Sequence, residues 1–401
     1  MSVNIRFPSG STKQNNLKRS VLGYFAVNGN TTIPDLSREL DISVPKITAL
    51  VNELIQDELL KDYGKIESSG GRKPSLYGLI ADSAFFIGVE VKHDQINIGA
   101  TNLKNELIKV SEKLPYDLNN TPDSLAILYD YISFFIKELG VGKEKVLGIG
   151  INLSGRINYQ TGHSYSYFHF EEKPLSEIIE SKIGIPVFLE NDSRAMAYGE
   201  FYEGVVNEEK DVLFLNLDYG IAVGILVDGS IYYGKSGYAG EFGHMPLFDN
   251  ELLCHCGKKG CLETEASGWA LTRMFREKLH EGSSSVVSLQ HIDPENVHME
   301  DIIRAVHKDD VLAIELIAKI GERIGRGIAL LINIFNPELV ILGGRLAGTG
   351  DYLRYPVQTA INKYSLSLVN NDTKLVLSKL GDRAGIVGAC ILVRNKMMAL
   401  H

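Results

Sequence analysis

Apolar positions in the first eighty residues fall at helical spacing three times over. Leu17, Val21, Leu22 and Phe25 mark one amphipathic helix over about 17–28, and Ile33, Leu36 and Leu40 mark a second that begins at Thr32. Asp41, Ile42 and Ser43 make a short turn, and Ser43 is a suitable N-cap for a third helix running to about Gln56. That helix buries Ile47, Leu50, Val51 and Leu54 and leaves Lys46, Thr48, Ala49 and Asn52 on the other side. Two helices joined by so tight a turn predict a helix-turn-helix, with Ser43, Lys46, Thr48 and Asn52 offered to a DNA major groove. A plain helical bundle with a solvated third helix is the competing reading.

The pattern then changes to two strand-like runs, 59–63 and Ser75–Leu79, around a segment reading Ser68-Ser69-Gly70-Gly71-Arg72-Lys73-Pro74. Such a hairpin predicts a wing whose Gly-rich tip carries Arg72 and Lys73 to a minor groove or its phosphates.

From about residue 84 the chain reads as α/β. Strands are expected at Phe85–Val91, 95–100, Val146–Leu153 and 185–189, with a helix over 123–139. The fourth strand delivers Glu190, Asn191 and Asp192 to the start of a helix running through Tyr202. Acidic and amide side chains at that point suit a ligand site, although N-capping alone would also place them there. Further on, strands are expected at Val212–Leu217, Ile221–Val227 and 339–342, and helices at 269–279, 299–305 and 310–333. A last helix, beginning after Ser378, is expected to pack back on the first part of the body. The expected division is a winged helix-turn-helix over 1–82 and a body over 83–401. Within the body, one lobe takes about 83–205 plus 382–401, and the other about 206–381.

Composition narrows the setting. The 401 residues are 44% hydrophobic, with a mean hydropathy of −0.01, as in an ordinary soluble chain of two or three domains. No apolar run follows the basic residue near the N-terminus, and the apolar stretch 328–335 is too short for a bilayer, so a cytoplasmic location is expected. Residues 1–80 carry ten Lys and Arg against eight Asp and Glu; the remaining residues carry 31 against 42, giving the net −9. Any contact with a polyanion is therefore expected from the head.

The densest chemistry lies in 240–263. His244 precedes Cys254 by ten residues, and Cys254, Cys256 and Cys261 fall within eight positions. Three thiolates and an imidazole form a closed tetrahedral set for a structural Zn2+. Gly257 and Gly260 allow the tight curl this needs, whereas three clustered cytosolic thiols without metal are the plainer alternative. Glu241 and Glu263 bracket the cluster, and a His244 held through one ring nitrogen would present the other as an oriented hydrogen-bonding group.

Glu-x-Gly-His followed by Cys-x-Cys-Gly-x-x-Gly-Cys-Leu-Glu resembles the signature of the ROK family of sugar kinases and sugar-responsive repressors. The resemblance spans the chain and implies a two-lobed, actin-like ATPase fold with a sugar in its cleft. It implies sugar-hydroxyl contacts for Gly155, Arg156, Asn191, Asp192, Glu241, His244 and Glu263, with Asp192 standing where kinases of the family keep their catalytic base. The Gly-Gly-Arg-x-Pro tip also resembles the wing of the family's repressors, such as those responding to N-acetylglucosamine or xylose.

Two phosphate loops depart from the kinase pattern. Where the family's kinases have Asp-Gly-Gly-Thr, this chain has Glu90-Val91-Lys92-His93. Where they have Gly-Thr-Gly-x-Gly-x-Gly, it has Asp218-Tyr219-Gly220-Ile221-Ala222-Val223-Gly224. Side chains replace the glycines that let backbone amides approach phosphate, and only Gly343-Gly344 on the adenosine side survives. The expectation is a non-catalytic, sugar-responsive repressor in which Asp192 is a vestigial base. Its expected partners are a pseudo-palindromic DNA operator, a sugar or sugar-phosphate effector, and a second copy in a homodimer or dimer of dimers. An active sugar kinase with a regulatory head, or a regulator with a protein effector, are the alternatives.

Overall fold

The computed structural model describes residues 12–65, 74–289 and 293–400. In the head, helices α1 (Thr12–Asn28), α2 (Ile33–Glu39) and α3 (Val44–Gln56) pack beside short strands β1 (Thr31–Thr32), β2 (Leu60–Lys65) and β3 (Ser75–Leu79). Thr32 caps α2 by accepting the Asp35 amide. Ser43 stands at the N-cap position of α3 as expected, yet its side chain makes no capping bond. Pro45 in the first turn has no N–H to offer, and the Ser43 carbonyl accepts from Lys46 and Ile47 instead. The strands form one antiparallel sheet in the order β1-β3-β2, so β2 and β3 are the sides of the expected wing. Its tip, with Arg72 and Lys73, lies outside the described residues.

Inside the head, the Lys18 ammonium is 1% exposed and lies 2.9 Å from Asp57 and 3.1 Å from Glu53, tying α1 to α3.

The first sheet of the body takes β4 (Phe85–Val91), β5 (Gln95–Asn102), β6 (Leu107–Pro115), β7 (Val146–Leu153) and, after the ribbon β8 (Ile157–Asn158) and β9 (His163–Ser164), β10 (Val187–Asn191). Helices α4 (Pro122–Glu138) and α5 (Leu175–Ile183) cover it, and α6 (Asp192–Glu203) follows β10 directly. The order is β10-β7-β4-β5-β6, with β4, β7 and β10 parallel and the β4–β5–β6 meander antiparallel.

The second sheet repeats that plan. It holds β11 (Val212–Leu217), β12 (Ile221–Val227), β13 (Ser230–Ile231), β14 (Leu339–Gly343) and β15 (Lys374–Leu377), in the order β13-β12-β11-β14-β15. Again a hairpin is antiparallel and the strands beyond it are parallel. Its helices are α7 (Glu263–Ala266), α8 (Gly268–His280), α9 (Val286–Leu289), α10 (Met299–Val306), α11 (Val311–Phe335), α12 (Asp351–Tyr364) and α13 (Ser367–Asn370); α14 (Ala384–Met398) closes the chain. Two sheets of one topology are what an actin-like duplication requires, although no sequence repeat announces it.

The chain divides into two units, Met1–Asp192 with Gly385–His401, and Ser193–Ala384. In the first unit a cross-strand row of Gly99, Gly88 and Gly150 lets α14 approach the sheet. A Cβ on Gly88 would stand 2.4 Å from the Ile386 carbonyl, and one on Gly150 2.4 Å from that of Ala389. The far end of α14 joins the core of the head: Val393, Met397 and Met398 cluster with Val21, Leu22 and Phe25. Arg394 also donates to the Ala26 carbonyl at 3.0 Å. Among the described residues no helix is long and apolar enough to cross a membrane.

Candidate functional site

In the second unit, a single 3-10 turn (Phe242–His244) follows the β12 region and presents His244. The chain then folds back through the paired positions Pro246↔Cys261 and Leu253↔Lys259, closed by the Cys254 amide donating to Lys258 O at 2.8 Å. Gly260 adopts a φ of +74°, and a Cβ there would come 2.4 Å from the Phe248 carbonyl. The curl brings one donor atom from each of His244, Cys254, Cys256 and Cys261 within 4.8 Å of the others. Cys254 Sγ is 3.6 Å from His244 Nδ1, and Cys256 Sγ is 3.6 Å from Cys261 Sγ. Bonds of about 2.3 Å to sulfur and 2.0 Å to nitrogen give tetrahedral edges of about 3.5–3.8 Å, so the donor set fits zinc. Burial pushes the thiols of Cys254 and Cys261 up, and a divalent cation would supply the charge that holds them as thiolates. His255 takes no part; its ring packs 5.5 Å from that of Trp269. Cys390 is a core thiol on α14, pushed up to about 12 by burial.

The carboxylates beside the cluster are placed by it. Glu241 Oε2 lies 3.7 Å from His244 Nε2, the ring nitrogen turned away from the cysteines. Glu263 accepts the Ile221 amide at 3.1 Å, and its other oxygen is 3.6 Å from Cys254 Sγ. His244 and Glu241 remain about a third and a half exposed, which leaves both open to a ligand.

The first unit gathers the other predicted positions at the ends of β7 and β10. Asp192 Oδ2 accepts the Ser154 hydroxyl at 2.6 Å, and Asn191 donates to the Gly155 carbonyl at 3.1 Å. Gly155 has a φ of +93°, and the next amide, that of Arg156, donates to Ser166. Gly155, Asn191 and Asp192 are thus held together, while the Arg156 side chain is exposed. Ser154 and Ser166 were missed by sequence reasoning; Ser154 adjoins the Gly155-Arg156 pair, but nothing in the sequence points to Ser166.

The two segments that depart from the kinase pattern also carry polar contacts. Glu90, 1% exposed, accepts from Asn97 at 2.7 Å and lies 3.7 Å from the Lys92 ammonium. Asp218 follows β11 and pairs with Arg345, a residue that the sequence reading did not single out.

On α3, Lys46, Ala49 and Asn52 are exposed. Thr48 is half-buried and its hydroxyl donates back to the Val44 carbonyl at 2.8 Å. Val44, 47% exposed at the start of the helix, adds an apolar surface suited to a thymine methyl.

A family model described as "ROK family" matches residues 86–396, and one described as "Winged helix-turn-helix DNA-binding" matches residues 14–61. A xylose repressor of Caldicellulosiruptor bescii is 29% identical over 368 residues, covering 91% of this chain and 92% of that protein. A solved ROK-family transcriptional regulator, a homolog of the E. coli MLC protein, superimposes with a TM-score of 0.78 at 26% identity, covering 96% of this chain and 98% of that one. A ROK glucokinase from Streptomyces griseus, in complex with glucose and AMPPNP, gives a TM-score of 0.68 at 25% identity. It covers 77% of this chain and 99% of that one.

Proposed function

The chain belongs to the ROK family, and from that premise we propose that it is a sugar-responsive transcriptional repressor that does not phosphorylate its ligand. The observation that carries this reading is the winged helix-turn-helix ahead of the ROK body, in a chain whose repressor relatives match it over nine-tenths of its length. Lys46 and Asn52, with Ser43 and Thr48 beside them and Arg72 and Lys73 from the wing, are proposed to contact an operator. Gly155, Arg156, Asn191, Asp192, Glu241, His244 and Glu263 are proposed to bind sugar hydroxyls. The acidic and amide members of that set accept and donate in the way vicinal hydroxyls require.

His244, Cys254, Cys256 and Cys261 are proposed to hold a structural Zn2+, which orients His244 and holds the turn bearing it. A homodimer on a pseudo-palindromic operator is proposed as the binding species. For sugar to change occupancy a hundredfold, it must bind the released form more tightly by about 2.7 kcal/mol.

The absence of catalysis is proposed from the two altered loops. Glu90 and Lys92 fill one with an ion pair, and Asp218 brings a carboxylate to the other. A kinase reading draws on Asp192, oriented by the Ser154 hydroxyl, and on the glucokinase likeness. Thermal-shift screening against free xylose, glucose, N-acetylglucosamine, their phosphates and Mg-ATP separates the two. Stabilisation by one sugar, with none from Mg-ATP, supports the sensor. Stabilisation by Mg-ATP together with sugar phosphorylation would support the kinase, and no response to any compound would favour a protein effector.

A further inference from the structure

Lys396, half-buried on the last turn of α14, touches both segments that carry the predicted sugar positions of the first unit. Its ammonium stands 5.1 Å from the Phe188 ring and 5.5 Å from the Tyr159 ring, and donates to the Tyr159 carbonyl at 3.4 Å. Phe188 and Glu190 belong to β10, which ends at Asn191, and Tyr159 follows the strand β8 that continues from Gly155 and Arg156. Glu190, 5% exposed, accepts the Asn191 amide at 2.8 Å. Burial pushes the Lys396 ammonium below its ordinary pKa, and the Glu190 carboxylate acts against that.

Packing alone would not choose a lysine here. Leu392 and Ala389 stand one and two turns earlier on the same face of α14, and both are apolar. The contact is also not close-packed: Glu190 and Lys396 line a cavity of about 10 Å³ with Gly150, Phe188 and Leu392. Room of that kind lets a side chain take a second arrangement, as a switching contact requires. On the other side, the same turn of α14 meets the head. Arg394 donates to the Ala26 carbonyl at 3.0 Å, and Met397 and Met398 lie in the head's apolar cluster, against which Phe188 also packs. A Cβ on Gly23 of α1 would come 2.9 Å from the Met398 carbonyl, so α1 and the helix end meet backbone to backbone.

We propose that Lys396 is a positioning residue which, through Glu190 and the Tyr159 carbonyl, ties the Asn191–Asp192 turn to the end of α14. A sugar that resets this turn then shifts the helix end against α1. The inference rests on the sugar-responsive reading and names the route by which its site reaches the head.

The test is fluorescence anisotropy of a labelled operator bound by the full-length protein, alone and with saturating xylose, glucose or N-acetylglucosamine. Calorimetric titration of the same sugars accompanies it. Lys396→Met keeps the apolar body of the side chain and removes its charge. It is expected to bind operator and sugar separately within about threefold of wild type, while sugar-driven release falls from about a hundredfold to less than about tenfold. Lys396→Arg keeps a cation for Glu190 and is expected to retain more of the release. A folded Lys396→Met protein released as fully as wild type overturns the inference. So does one that loses operator and sugar binding together, since that marks a purely structural part. If Lys396→Met does not fold, Glu190→Gln removes the facing carboxylate and is expected to lower the release instead; full release from it is equally fatal. A wild type that none of the three sugars releases removes the sugar-responsive reading itself, and this inference with it.

Discussion

Glu263 accepts the amide proton of Ile221 at 3.1 Å while its other oxygen lies 3.6 Å from Cys254 Sγ. One carboxylate thus lies beside the cysteine cluster while it is hydrogen-bonded to the β11–β12 loop. Cys256→Ser, or removal of metal with a chelator, is expected to lose one zinc per chain and to weaken sugar binding at least about tenfold. Metal ligands and the groups they orient commonly carry effects of that size. Operator affinity without sugar is expected to change less. Metal analysis with paired sugar and operator titrations checks this, and equal loss of both activities would indicate general unfolding.

Asp192 is expected to serve the sugar rather than a phosphoryl transfer. It already accepts the Ser154 hydroxyl at 2.6 Å, which fixes its orientation at the start of α6. Asp192→Asn is expected to weaken sugar binding by about ten- to a hundredfold, the span of a hydrogen bond to a charged group. Calorimetry reads this directly, and affinity for operator DNA without sugar should be unaltered.

The Lys18 ammonium ties the first and third helices of the head through Asp57 and Glu53. Burial opposes its charge, but the hydrogen bonds to the two carboxylates outweigh that, so its pKa is raised. A raised lysine pKa contributes stability that is fully present below the unfolded value of about 10.4 and is lost as pH rises through the folded value. Lys18→Met is expected to destabilise the head by about 2 kcal/mol, below the ~3–5 kcal/mol for breaking a fully buried pair, because both carboxylates keep access to water. Unfolding curves of wild type and variant should differ by a constant amount from pH 7 to 9 and converge above about pH 10.5.

Operator recognition separates into two kinds of contact. Lys46→Ala and Asn52→Ala are expected to change preference at individual base pairs by about 1–3 kcal/mol each, read by competition with single-base operator variants. Arg72→Ala is expected to weaken all sequences alike and to reduce the salt slope by about one unit. A sequence-specific loss for Arg72→Ala, or a uniform loss for Asn52→Ala, would reverse these roles.

The head and the His/Cys cluster were legible because local spacing encodes both. The α3 stripe of Ile47, Leu50, Val51 and Leu54 is buried as read, and one donor atom from each of His244, Cys254, Cys256 and Cys261 lies within 4.8 Å of the others. Edge and polar elements were not legible. β6 leaves Leu107 and Ile108 exposed, so no alternating burial marks it as a strand. α12 buries Leu353, Val357, Ala360 and Ile361 at helical spacing, but it carries Pro356 in its interior, where a proline ordinarily argues against a helix. The partnership of Asp218 with Arg345 spans 127 positions, and no local pattern connects residues so far apart.

The central claim is that sugar alone controls DNA binding. The most direct measurement is fluorescence anisotropy of a labelled operator bound by the full-length protein, titrated with xylose, glucose and N-acetylglucosamine, with and without Mg-ATP. The account predicts that one free sugar lowers operator affinity by about a hundredfold, a coupling of about 2.7 kcal/mol, and that Mg-ATP changes nothing. Release that requires Mg-ATP, with phosphorylated sugar as the product, would contradict it.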